Sequence, residues 1–185
     1  MYSQCVSEKS AAQQRRLEAA LLELMKDRLF EEISISELCR YTGLSRKTFY
    51  RLYEAKADVI YAMIDHALLD AAAYIPDDTV GPGGVHKFLG YWKHRKDLLD
   101  ALNSNGMSGL LLERMAEIVW NEDYDIRYWL KSRGWKEETD VLVFCLTGFM
   151  GLVYRWYYSG FRESPEQMAA TMRRLLTTAL ADDLT

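Results

Sequence analysis

With 185 residues, 49% of them hydrophobic and 12% aromatic, the chain has enough length and apolar content for one globular domain or two small ones, which excludes a disordered tail or a short peptide. A net charge of −4 argues against indiscriminate coating of nucleic acid, and three cysteines, Cys5, Cys39 and Cys145, odd in number and widely spaced, fit neither a disulfide framework nor a zinc site. Only 3 Pro and 11 Gly occur, and apolar residues recur every three or four positions, so the expected class is all-α with about nine helices.

Residues 1 to 12 are polar, small and without pattern, and are expected to form a loose arm. No basic stretch followed by an apolar one opens the chain, so it is expected to be cytoplasmic. Arg15 and Arg16 suit a DNA backbone or minor groove about as well as a helix-capping or solvent role. From Leu17 the positions Leu17, Ala20, Leu21, Leu24 and Met25 trace a helical stripe, and Leu29, Phe30 and Ile33 are expected to form an apolar plug behind it.

Ser34 and Glu37 have the S-x-x-E spacing of a capping box and start a short helix carrying Leu38. Gly43 stands where a chain leaving that helix needs positive φ. Ser45 is a second cap, so the next helix runs from about Arg46 to Tyr53, with Phe49 and Tyr53 inward and Arg46, Lys47, Thr48, Tyr50 and Arg51 outward. Two helices joined by a tight Gly turn, the second presenting cations, hydroxyls and a phenol, form a helix-turn-helix that sets a helix into a DNA major groove. The charge is divided accordingly. Residues 1 to 60 hold ten Lys or Arg against nine acids, a net of +1, and leave −5 to the remainder; Leu44 to Lys56 alone holds four cations and one acid. The expected base-edge contacts are Arg46, Lys47 and Thr48; Ser45, Tyr50, Arg51 and Lys56 suit phosphates, Lys56 because it opens the next helix, whose free N–H groups favour an anion, and Ser34 is expected at the DNA as well.

That next helix is expected over about 55–75, on the repeat Val59/Ile60, Met63/Ile64 and Ala67/Leu68. It links a helix-turn-helix DNA-binding domain, residues 1–55, to an effector-binding and dimerisation helical domain, residues 56–185. PDDTVGPGG at 76–84 is the clearest break. Beyond it one helix is expected through Val85, Phe88, Leu89, Trp92 and Leu99 to about Asn103, another from Met107 to about Trp120, and a short one over Asp125 to Ser132. Glu137 to Ser159 reads as a long helix apolar over most of its circumference and stopped by Gly160. Its run Val141 to Tyr154 is too short for a membrane span and is interrupted by Thr147, Gly148 and Gly151. The last helix opens on Ser164, Pro165 and Gln167.

Twelve of the 23 aromatics lie between Trp120 and Phe161. Such density lines a pocket for a small apolar or aromatic effector, for which Trp92, Trp120, Tyr128, Trp129 and Phe149 are the candidates, or builds a core and a dimer interface. Gly148, Gly151 and Leu152, with Met168, Met172, Leu175, Leu176 and Ala179 on the last helix, suggest a four-helix interface between two protomers. A homodimer fits a double-stranded operator with two half-sites about one helical turn apart. His66, His86 and His94 have no thiol or carboxylate at ligand spacing, and no nucleophile or phosphate-loop motif occurs, so neither an enzyme nor a metal or cofactor is expected.

The reading unit resembles the TetR family of bacterial one-component transcriptional regulators. The family pattern of a Ser or Thr cap, Ile-Ala, Ala-Gly-Val, Ser, Thr-Leu-Tyr, an aromatic and a Lys meets Ser34, Leu38 and Cys39, then Thr42, Gly43 and Leu44, then Ser45, then Thr48, Phe49 and Tyr50, then Tyr53 and Lys56. The chain departs from it at Leu29 and Lys47, where Gly is frequent in the family. The phrase from Gly151 to Trp156, Gly160 and Ser164 to Met168 resembles, more distantly, a subgroup that includes regulators of dihydroxyacetone kinase operons. The resemblance implies a TetR-like fold and a dimeric repressor whose effector changes the separation of two reading heads through the 55–75 helix. An activator working with a co-activator protein, or a helical adaptor that does not bind DNA, stand as the other readings.

Overall fold

The computed structural model describes residues 7–73, 82–120 and 139–179. Among these there are nine α-helices and one 3-10 turn, and no strand: α1 Glu8–Leu24, the turn Phe30–Glu32, α2 Ile35–Thr42, α3 Arg46–Leu52, α4 Lys56–Ala73, α5 Pro82–His94, α6 Lys96–Ser104, α7 Ser108–Trp120, α8 Thr139–Tyr158 and α9 Pro165–Ala179. The all-α expectation holds. The segment expected as a helix over Asp125 to Ser132 lies outside the described residues. No described helix is long and apolar enough to cross a membrane.

Two boundaries differ from expectation. The stretch expected as a loose arm is helical from Glu8, because Ser7 caps it by accepting from Ser10 N at 3.3 Å and Glu8 sits in the first turn, where a carboxylate complements the exposed N–H groups. The segment expected as a single helix to Asn103 is two, divided at Arg95, although Arg95 N still donates to Tyr91 O at 2.9 Å. Leu29 also leaves the expected apolar plug: it is 53% exposed, its N–H held by Glu32 Oε2 at 3.2 Å, while Phe30 and Ile33 are buried.

The chain forms two compact units. The first comprises 1–67 and 97–110; α1 packs on α2 and α2 on α3 over a core of Leu17, Leu21, Leu38, Phe49, Tyr53 and Ile60. Segment 97–110 contributes buried Leu98, Leu99 and Leu102, and Asn105 Oδ1 accepts from Phe30 N at 2.5 Å while its amide donates to Ala101 O at 2.8 Å. The second unit comprises 68–96 and 111–185, in which α5 packs against α8 and α9. Helix α9 opens on a reciprocal box: Ser164 N donates to Gln167 Oε1 at 2.8 Å and Gln167 N to Ser164 Oγ at 3.3 Å. Helix α8 ends at Gly160, φ +73, followed by Phe161 at φ +55, a conformation a bulky residue adopts only when it is held. Phe161 N donates to Trp156 O at 2.9 Å and its ring meets that of Trp156 edge-on at 4.8 Å.

Candidate nucleic-acid interface

The helix-turn-helix is built from short-range chemistry. Ser34 Oγ accepts from Glu37 N at 3.1 Å and begins α2. The Glu37 carboxylate is held below its usual range by the side-chain bond from Arg28, with the Ser34 N–H helping. At the other end Gly43 has φ +67, Gly43 N donates to Arg40 O at 3.2 Å, and Leu44 N donates to Cys39 O at 3.0 Å, so two otherwise orphaned carbonyls are satisfied as the chain reverses. A Cβ at Gly43 would stand 3.6 Å from Arg16 Nη2, which places that guanidinium beside the turn. Thr42, buried, donates its hydroxyl to Leu38 O at 2.9 Å. Burial pushes the neighbouring Cys39 thiol up, and Arg46 opposes the shift.

Ser45 then caps α3, its Oγ accepting from Thr48 N at 3.0 Å and lying 2.9 Å from Thr48 Oγ1. Phe49 and Leu52 face the core, and Tyr53, which caps the helix, is buried as well. Arg46, Lys47, Tyr50 and Arg51 are exposed, Thr48 is half-buried, and Arg40 is exposed on α2. These cations are held to different degrees. Arg46 donates to Ser36 Oγ at 3.1 Å and to Tyr50 OH at 3.4 Å, with its guanidinium 5.8 Å from the Tyr50 ring centroid. Arg51 donates to Gln13 Oε1 on α1 at 2.7 Å. Lys47 makes no hydrogen bond or ion pair among the described residues, so its ammonium is unrestrained on the exposed face.

Lys56, expected at a phosphate, is turned inward instead. Its ammonium donates to Phe30 O at 2.5 Å and Ile33 O at 2.6 Å, lies 3.4 Å from Glu31 O, and sits 4.0 Å from the Phe30 ring centroid. Phe30 O also accepts from Ile33 N at 3.1 Å, and the ammonium, with three donors, ties this carbonyl to that of Ile33 beyond the turn. Burial pushes the ammonium's pKa down, with Glu31 opposing. Nearby Asp58 accepts from Ala55 N at 2.9 Å and Glu54 N at 3.0 Å, so α4 begins on a fixed hinge.

Behind this face lies a buried carboxylate. Glu18 of α1 is 4% exposed; it accepts from Tyr53 OH at 3.3 Å and from His66 Nδ1 of α4 at 2.9 Å, with Arg15 Nη1 at 3.8 Å. Apart from Arg15–Glu18, which are three residues apart, neither the contacts of this hub nor the pairs Arg46–Ser36 and Arg51–Gln13 have a spacing signal, because their partners lie ten to 48 residues apart.

Of the residues expected to line an effector pocket, Trp92 is fully buried and Phe149 half-buried, while Tyr128, Trp129 and the side chain of Trp120 lie outside the described residues. Of those expected at a dimer interface, Gly148, Gly151 and Leu175 are exposed and Leu152 is half-buried. Met168 and Met172, at 1% and 0%, belong to the protomer's own core, because the face of α9 that carries them is covered within the protomer. Leu176 and Ala179 have side chains outside the described residues. No group of three His, Cys, Asp or Glu that could hold a metal occurs among the described residues.

No family model and no curated protein matches the chain. Its fold is similar to the crystal structure of a TetR transcriptional regulator from Rhodococcus sp. RHA1, with a TM-score of 0.57 at 16% identity over 95% of this chain and 99% of that one.

Proposed function

We propose that the chain is a DNA-binding transcriptional regulator that reads a palindromic operator as a homodimer. The observation that carries this is α3: a capped helix entered through the Gly43 turn, with Arg46, Lys47, Tyr50 and Arg51 exposed and Phe49 and Leu52 anchoring the opposite side. Arg46, Lys47 and Thr48 meet base edges, and Ser34, Ser45, Tyr50 and Arg51 meet phosphates. Lys56 serves the same face indirectly, by fixing the turn ahead of α2. By role, residues 1–55 are the DNA-binding domain and 56–185 the effector-binding and dimerisation domain, although 56–67 and 97–110 pack within the first compact unit. The protein is a cytoplasmic repressor without catalytic activity, modulated by a small apolar or aromatic effector.

The dimer is supported by α8, where Phe144 (68% exposed), Gly148, Gly151 and Tyr158 (62% exposed) fall at i, i+4, i+7 and i+14 and expose one continuous helix face. Selection from random duplexes tests the whole reading. The expected result is a gel shift at low salt that sharpens on one palindrome with two protomers bound and half-sites about one helical turn, roughly 34 to 36 Å, apart. A protein that shifts no duplex at low salt is an adaptor instead.

A further inference from the structure

The side chain of Trp92 on α5 is 0% exposed, and its indole N–H, buried with it, meets no acceptor among the described residues. Trp156, the other fully buried indole among the described residues of the same unit, is treated differently: its Nε1 donates to Glu163 O at 2.9 Å. Indole nitrogen is a donor only, so no change of tautomer or rotation of its own can satisfy it. The rings packed beside Trp92 are those of Phe88 and Tyr91, both edge-on, at 6.3 and 5.6 Å between centroids. No polar or charged residue is buried in this unit among the described residues. Four of its buried side chains are Met115, Met150, Met168 and Met172, and unbranched thioethers repack readily around a new shape. Buried donors without partners are rare and each requires an explanation.

We propose that the Trp92 indole N–H is the polar recognition point of a ligand site in the second unit, and that the ligand is a compact apolar ring molecule presenting one uncharged hydrogen-bond acceptor. The apolar surroundings accept the body of such a molecule, and the lone donor selects for its acceptor. A carboxylate would enter without a buried cation to meet it. A plain hydrocarbon would leave the donor as it is. The assignment deepens the effector role proposed above, but it is tested on protein free of DNA, so a chain that shifts no duplex still decides the role of Trp92.

Quinoline and naphthalene share a shape and differ in one ring nitrogen, which makes them the probes. On the full-length, ¹⁵N-labelled protein at neutral pH, Trp92→Phe removes and so assigns one of the indole N–H signals. Quinoline is expected to move that signal downfield and to bind about five-fold more tightly than naphthalene, a preference that Trp92→Phe abolishes. If Trp92→Phe melts early, the wild-type indole shift and the wild-type preference decide alone. Equal affinities in the wild type, no binding of either probe, quinoline bound with the Trp92 signal unmoved, or a preference that survives in folded Trp92→Phe would each overturn the assignment.

Discussion

The two compact units solve the problem of a core in opposite ways. Gln14, Glu18, Thr42, Asp58 and Asp65, the buried polar side chains among the described residues, all belong to the first unit, whereas the buried side chains described in the second are apolar or aromatic, four of them methionine. Polar contacts are directional: Glu18 is satisfied only when Tyr53 and His66 stand where they do, so α1, the end of α3 and α4 are registered against one another. Apolar contacts are not directional, and methionine loosens them further. A unit that presents Arg46 and Lys47 at fixed positions needs the first kind of core. A unit that admits a ligand beside Trp92 needs the second.

The contrast is broken most directly at Glu18. Glu18→Ala removes the buried carboxylate that Tyr53 OH and His66 Nδ1 meet and leaves a cavity in its place, and is expected to lower the unfolding free energy by about 3 kcal/mol. Met150→Leu, fully buried in the second unit, is expected to cost less than about 1.5 kcal/mol. Urea titrations of both variants measure the pair. Equal losses would mean that the two cores are equally exacting.

Next in size is the exposed face of α8. Phe144→Asp places a charge on a face that two protomers would have to desolvate, and is expected to weaken the dimer by about 2 kcal/mol, roughly thirty-fold in dissociation constant, without lowering the melting temperature of the monomer. Sedimentation over a concentration series measures it. An unchanged dimer would move the interface off this stripe and leave Phe144 without a role.

Lysines 47 and 56 sharpen the comparison within the first unit, since they lie nine residues apart and are held in opposite fashions. Lys56→Ala strips the ammonium from the carbonyls of Phe30 and Ile33 and is expected to cost about 2 kcal/mol of stability while leaving the salt dependence of DNA binding unchanged. Lys47→Ala is expected to leave stability within about 0.5 kcal/mol and to change DNA recognition alone. Denaturation of both variants beside duplex binding at several salt concentrations separates the two. A fall in salt slope of about 1 for Lys56→Ala would return that residue to the phosphates.

This pair also shows what was legible in the sequence. Ser34, Gly43, Ser45 and the Ser164–Gln167 box act on backbone atoms within five residues, so both the helix-turn-helix and the start of α9 follow from spacing alone. Lys56 reaches carbonyls 23 and 26 residues earlier, a distance at which one-dimensional pattern carries no information. The apolar stripe of α9 was equally visible, but a stripe does not say what covers it, and Met168 and Met172 are covered within the protomer. Segment 97–110 has a plain helical period, yet nothing in Leu98, Leu99 or Leu102 announces that it joins the unit of the helix-turn-helix. The beginning of α1 was missed because its first turns lack an apolar stripe and rest on the Ser7 cap.

Exposed ion pairs offer the smallest and most even-handed test. Glu37 in the first unit is held below its usual range first by the bond from Arg28, and Glu163 in the second first by the bond from Arg155 at 2.9 Å. A carboxyl depressed in the folded state binds protons less readily than in the unfolded chain, so it contributes stability above its unfolded value and loses that contribution as pH falls through the folded one. Solvent reaches both pairs, though Glu37 is half-buried and less exposed than Glu163, so Glu37→Gln and Glu163→Gln should each flatten the acid limb of the stability profile slightly and to a similar extent. Denaturation midpoints between about pH 3 and pH 6 read the slopes, the range in which ordinary carboxylates titrate. If buried polar chemistry is what distinguishes the units, their exposed chemistry should not. A much larger acid sensitivity lost with Glu37→Gln than with Glu163→Gln would show that the Arg28 pair, bridging the 3-10 turn and α2, belongs with Glu18 and Lys56 in holding the reading face.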